Sequence, residues 1–250
     1  MVAKKIIPCL DFKDGKVVKG INFENLREIG SPAELAKEYE RQGADEVTFL
    51  DISATLESRK TVLDQVTKTK AQIKVPLAVG GGIRTYEDMK DAIEAGADKV
   101  SINSAAVNDP ELIRRCSEGF GKERLIVAID VKKTDDGYKV VTRGGTYNTG
   151  LDAVEWAKKV EELGAGEILL TSMDADGVKT GYDIPVTKAV AEAVSIPVTA
   201  SGGCGSKEHI LQVFKETKVA SALAASIFHF KECTVSDVKE YLRANGVEVE

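Results

Sequence analysis

The chain has 250 residues, 43% of them hydrophobic and 30% charged, with a formal net charge of −6. That length exceeds most single domains but is usual for an eight-fold β/α barrel, and the apolar fraction supports a large core. The negative balance excludes a global basic field for nucleic acid or an anionic membrane, and no run approaches the roughly 18 apolar residues that span a bilayer.

Short apolar runs alternate with amphipathic stretches along the whole chain. Candidate strands lie at residues 6–11, 47–51, 77–80, 100–103, 125–130, 168–171, 198–201 and 221–225, dominated by Val, Ile, Leu and Ala as strands covered on both faces require. Ser31-Pro32-Ala33-Glu34 reads as a capping box with proline at the first helical position. Asp109-Pro110 and Asp183-Ile184-Pro185 open later helices, and Gly43, Gly96 and Gly164 close others. Eight β-then-α units predict parallel strands, because each return needs a crossover helix. A doubly wound open sheet has the same alternation. The count of eight and the length favour an α/β fold of the (β/α)8 TIM barrel type, one barrel over residues 1–250.

Two connections are too long for linkers. Residues 12–30 are rich in Gly, Asn and Lys and read as a long loop, while 131–150 hold Asp-Asp-Gly between apolar alternations and predict a short hairpin. Both follow strand C-termini, where barrel active sites are built. No apolar leader precedes a cleavage site. The four cysteines, Cys9, Cys116, Cys204 and Cys233, lack CxxC or metal-type spacing, so free thiols in a reducing cytoplasm are expected.

A half-length repeat is the most informative feature. Ile7-Pro8-Cys9-Leu10-Asp11 matches Ile126-Val127-Ala128-Ile129-Asp130 at an offset of 119, and Phe49-Leu50-Asp51 matches Leu169-Leu170-Thr171 at 120. Val79-Gly80-Gly81-Gly82 matches Ala200-Ser201-Gly202-Gly203 at 121, and Ile102-Asn103-Ser104 matches Ala224-Ala225-Ser226 at 122. Two half-barrels, about 1–122 and 123–250, would then place Asp11 opposite Asp130 across the mouth.

The same repeat carries the binding chemistry. Gly81 and Gly82 after the third strand, with Asn103 and Ser104 after the fourth, form one candidate phosphate cradle. Ser201, Gly202 and Gly203 after the seventh strand, with Ala225 and Ser226 after the eighth, form its partner. Glycines let backbone N–H groups approach a phosphate, and helix starts complete such sites. Two cradles predict a substrate with two phosphates. Thr171, Asp176 and Gly177 around the sixth strand end are further substrate contacts, and Lys19 in the first long connection reaches for a phosphate or an oxyanion.

Only two histidines occur, His209 and His229, and both fall in helical segments. Strand-end carboxylates must therefore move most of the protons. Asp11 and Asp130 are the symmetric pair, with Asp51 and Asp176 secondary. At the opposite strand ends, Lys5, Glu46, Lys99 and Glu167 each precede an apolar run. They are either solvated loop charges or a closed, paired layer across the barrel floor.

Several motifs resemble a known family. Ile6-Ile7-Pro8-Cys9-Leu10-Asp11, Lys19-Gly20-Ile21-Asn22-Phe23-Glu24-Asn25-Leu26-Arg27, Val79-Gly80-Gly81-Gly82-Ile83 and Asp98-Lys99-Val100-Ser101-Ile102-Asn103 are similar to the cyclase subunit of imidazole glycerol phosphate synthase. The same holds for the run from Gly164 to Asp174. The resemblance covers essentially the whole chain. It implies a step of histidine biosynthesis linked to purine salvage, in which ammonia joins a phosphoribulosyl-formimino aminoimidazole carboxamide ribonucleotide. Imidazole glycerol phosphate forms and the aminoimidazole carboxamide ribonucleotide leaves, with neither metal nor cofactor implied. It further implies that Asp11 and Asp130 are the acid/base groups and that a glutaminase subunit docks at the strand N-termini near Asp98. Lys5, Glu46, Lys99 and Glu167 would be the gate for its ammonia, with lysine at position 5 where arginine is frequent. The nearest alternative is the preceding isomerase of the same fold, which has no ammonia gate.

Overall fold

The computed structural model describes residues 3–13, 16–21, 24–52 and 56–250, with backbone alone for 19–21, 24–29 and 56–61. In chain order the strands are β1 (Lys5–Lys13), β2 (Lys16–Ile21), β3 (Glu24–Gly30), β4 (Val47–Asp51), β5 (Leu77–Gly80) and β6 (Lys99–Ile102). They continue with β7 (Leu125–Thr134), β8 (Gly137–Thr142), β9 (Tyr147–Asp152), β10 (Glu167–Ser172), β11 (Val198–Ser201) and β12 (Ser221–Ala224). The helices are α1 (Pro32–Arg41), α2 (Leu56–Lys70), α3 (Tyr86–Glu94), α4 (Ser104–Asn108) and α5 (Glu111–Phe120). The second half adds α6 (Ala153–Glu162), α7 (Ile184–Ala193), α8 (Lys207–Glu216), α9 (Ser226–His229) and α10 (Val235–Ala244).

Strands β1, β4, β5, β6, β7, β10, β11 and β12 pair in parallel in that order, and β12 returns to β1. The sheet closes into the expected (β/α)8 barrel. Among the described residues no helix is long and apolar enough to cross a membrane.

The strand period of two sorts side chains between two cores. Ile6, Leu10, Val47, Phe49, Val100, Ile102, Val127 and Ile129 point outward into one large apolar layer shared with the helices. Ile7, Cys9, Ala78, Ile126, Leu169 and Leu223 form a second, smaller cluster inside the barrel. Bulky branched residues usually fill such an interior. Here the small side chains of Cys9 and Ala128 line a cavity at the C-terminal mouth.

Three local expectations are corrected. The described residues between 12 and 30 form strands rather than the expected loop: β1 runs on to pair antiparallel with β2 at Phe12↔Val17, and β2 pairs with β3. Buried Phe12 and Val17 hold this extension on the body, while register shifts at Val17/Val18 and Lys19/Ile21 break the alternation that would mark a strand. Residues 131–150 also contain more than one hairpin, since β7 extends to Thr134 and both β8 and β9 follow antiparallel. Ser31 does cap α1 with extended backbone, but its side chain makes no cap hydrogen bond, so the expected box is absent. Reciprocal boxes occur instead at Thr85/Asp88 and Thr234/Asp237.

Candidate active site at the barrel mouth

Register places the two aspartates equivalently. Asp11 on β1 neighbours Leu50 on β4, and Asp130 on β7 neighbours Thr171 on β10. Both inward side chains line one cavity of about 440 Å³ at the C-terminal strand ends. The registers also adjust the repeat. Leu50 faces Gly80 as Thr171 faces Ser201, so Leu50 rather than Asp51 is the counterpart of Thr171, and that offset is 121.

The environments of the two carboxylates differ. Asp130 accepts a hydrogen bond from Asn103 Nδ2 at 2.8 Å. Burial pushes its carboxyl up to about 6, with the charge of Asp176 adding to the rise and the Asn103 bond opposing it. The residue equivalent to Asn103 in the other half is Ala225, which has no amide to offer Asp11. Instead Cys9 Sγ lies 3.9 Å from Asp11 Oδ1. Asn103 Oδ1 is buried without a hydrogen bond among the described residues. A donor from a bound molecule would relieve that cost, typically about 1–3 kcal/mol.

The glycine cradles repeat at the level of atoms. A Cβ on Gly81 (φ +85°) would lie 2.1 Å from the Asp51 carbonyl oxygen, and one on Gly202 (φ +89°) 2.6 Å from that of Ser172. Each glycine lets a strand end turn tightly against its neighbour and aim backbone at the cavity. Asn103 and Ala225 occupy matching positions before α4 and α9, with φ of −127° and −128°.

Most expected substrate contacts converge here: Gly81, Asn103, Thr171, Asp176, Gly177, Ser201, Gly202, Gly203, Ala225 and Ser226 all line the cavity, as does Asp51. Gly82 and Ser104 stand outside the lining, and Ser104 Oγ accepts the Arg143 N–H at 3.3 Å. The Lys19 side chain lies outside the described residues, as do Asn22 and Phe23 of its motif. His209 serves its own loop, accepting the Gly205 N–H at 3.1 Å, and buried His229 shares a 2.6 Å hydrogen bond with Tyr39. The sequence reading missed the lining residues Cys9, Ser101, Gly144, Met173 and Lys179. The inward parity of β1 and β6 would have found the first two, but no local signal marks the others. Among the described residues no group of three or more His, Cys, Asp or Glu side chains is arranged to hold a metal.

At the floor, three of the four expected charges meet. Lys99 Nζ lies 2.7 Å from Glu46 and 2.8 Å from Glu167. Burial works against this ammonium, but the Glu167 and Glu46 carboxylates outweigh it and hold Lys99 charged. Glu46 is pushed up by its own burial against the pull of Lys99. Lys5 does not complete a closed layer: its ammonium pairs with Glu250 at 3.6 Å in a half-exposed position. A flexible lysine follows the nearest accessible carboxylate, whereas the planar fork of an arginine can serve two. Asp98 accepts the Leu77 N–H at 2.8 Å and pairs with Lys70 at 2.7 Å.

The family model described as "Histidine biosynthesis protein" matches residues 5–234. Curated relatives named "Imidazole glycerol phosphate synthase subunit HisF" match across the chain. The one from Clostridium botulinum (strain Okra / Type B1) is 55% identical over 251 residues, covering 100% of this chain and 99% of its own. The one from Bacillus cereus (strain G9842) is 57% identical over 250 residues with the same coverage.

Proposed function

The chain belongs to the histidine biosynthesis protein family, among the HisF subunits of imidazole glycerol phosphate synthase, and from that premise we propose how its mouth and floor divide the work. The mouth cyclises a phosphoribulosyl-formimino aminoimidazole carboxamide ribonucleotide with ammonia, giving imidazole glycerol phosphate and releasing the aminoimidazole carboxamide ribonucleotide. The observation that carries this reading is two symmetry-related carboxylates facing one cavity flanked by two symmetry-related glycine cradles. A substrate with a phosphate at each end fits that symmetry, with Gly81, Gly82, Asn103 and Ser104 at one end. Ser201, Gly202, Gly203, Ala225 and Ser226 hold the other, with Lys19, Thr171, Asp176 and Gly177 as further contacts.

Asp130, with its carboxyl pushed up to about 6 by burial, is poised to donate a proton to the ribulosyl carbonyl as the imine forms. Asp11 then serves as the base for the deprotonation that precedes ring closure. Asn103 holds Asp130 through its amide and offers Oδ1 to a substrate N–H.

The floor admits ammonia from a glutaminase partner docked around Asp98. Lys99 and its two glutamates close the entrance, with Lys5 at its rim, and Cys9, Ala78, Ser101 and Ala128 leave passage above it. The direct test is cyclisation with ammonium salt, with and without the glutaminase. Turnover of the substrate without dependence on ammonia would favour the isomerase and refute this reading.

The gate makes a separate prediction. Lys99→Ala should lower glutamine-dependent turnover several-fold more than ammonium-dependent turnover, because ammonium salt supplies ammonia by more routes than one. Steady-state rates on both nitrogen sources decide it, and equal losses would deny Lys99 a gating role.

A further inference from the structure

The floor ion pairs are less symmetric than the strands that carry them. Glu46 on the approach to β4 and Glu167 on β10 are counterparts in the two halves, as are Lys99 on β6 and Ser221 on β12. The second half therefore has no lysine of its own beside Glu167, and both glutamates draw on Lys99. What stands in for the missing cation is Thr199 on β11, whose counterpart in the first half is Ala78 on β5. Thr199 is 1% exposed, and its hydroxyl donates to Glu167 Oε1 at 2.6 Å while Lys99 holds Glu167 Oε2 at 2.8 Å. Each carboxylate oxygen of Glu167 is thus tied to a different strand.

We propose that Thr199 is a positioning residue of the gate, fixing Glu167 so that one lysine can be shared by two carboxylates across the barrel floor. This rests on the reading of Lys99 and its glutamates as the ammonia entrance. Without the hydroxyl, Glu167 keeps, among the described residues, only its bond to Lys99 and gains freedom to rotate about its own side-chain torsions. A buried carboxylate with a hydrogen bond removed seeks another donor, and Lys99 is the mobile one within reach. The triad then loses the geometry that presents Lys99 to both sides at once. Ala78 offers no such tie to Glu46, so the effect belongs to the second half alone.

The test uses the complex with a glutaminase subunit and compares Thr199→Val with Thr199→Ser. Valine keeps the shape and removes the hydroxyl, while serine keeps the hydroxyl. The quantity read is cyclised product formed per glutamine hydrolysed, with ammonium-dependent turnover measured on the same preparations. Thr199→Val should lower the product per glutamine about tenfold while changing the ammonium-dependent kcat less than about twofold, and Thr199→Ser should restore the ratio. An unchanged ratio in Thr199→Val, or an equal loss in both variants, would overturn the proposal. Should the valine variant fail to fold, Thr199→Ala removes the hydroxyl without adding a methyl and carries the same comparison. If Lys99→Ala also leaves the ratio unchanged, the gate itself is refuted and the role of Thr199 with it. A changed ratio in Lys99→Ala beside an unchanged one in Thr199→Val removes Thr199 alone.

Discussion

Asp130→Asn is expected to lower kcat by about 10³-fold while the substrate still binds, and Asp11→Asn by a comparable factor. Asparagine preserves the shape and most hydrogen bonds of each side chain but can neither give nor take the proton. The pH dependence tests the role of Asp130. Asp130 titrates near 6, raised from an ordinary 3.8 chiefly by burial. As the acid it is competent below that pH, so the rate in the substrate-bound enzyme should fall as pH rises through about 6. Asp130→Asn should abolish that limb along with most of the rate. Asn103→Ala removes a bond that favours the carboxylate, so the limb should move to higher pH. A limb that stays in place in Asn103→Ala, or near-normal rates in either aspartate variant, would take that residue out of the mechanism.

The same shift bears on folding. Between about pH 4 and 6 the folded chain holds a proton on Asp130 that the unfolded chain has released. The stability this group contributes is therefore present at low pH and is lost as pH rises through about 6. Denaturant midpoints of the wild-type chain and Asp130→Asn should converge at low pH and separate above that window, the wild type becoming relatively less stable.

The second large effect concerns backbone. Gly81→Ala should cost about 3 kcal/mol of stability, because the new Cβ meets the Asp51 carbonyl oxygen at 2.1 Å and the residue sits at φ +85°. For a chain of this size that corresponds to a Tm about 10 °C lower. Gly82→Ala is the control. Its φ of +69° carries a strain of about 1 kcal/mol, but among the described residues its Cβ would come no nearer than 3.8 Å to another group, Asp51 Oδ2. Thermal melts of the two variants decide the matter, and equal losses would show that close approach to β4 is not what demands glycine at position 81. Because the Gly81 turn also aims backbone at the cavity, its variant should raise KM even where it remains folded.

The eight barrel strands were legible in the amino-acid order because each is a short apolar run bounded by helix signals. The aspartate pair was legible because a half-length repeat copies Asp11 as Asp130. Composition hid the β2–β3 extension: Gly, Asn and Lys look like loop, and two register shifts erase the alternation that Val17 and Val18 begin.

Residue order by itself determined the barrel, its two halves and the strand ends at which carboxylates and glycines recur, since these follow from periodicity and repetition along one chain. The tertiary structure decided what distinguishes the halves. Whether Asp130 meets the Asn103 amide, whether Lys5 joins Lys99 or turns to Glu250, and whether Glu167 finds Thr199 all depend on side chains far apart in the chain. Such contacts are set by register and inward parity across the closed sheet, so they have no signature in the spacing of residues along the chain.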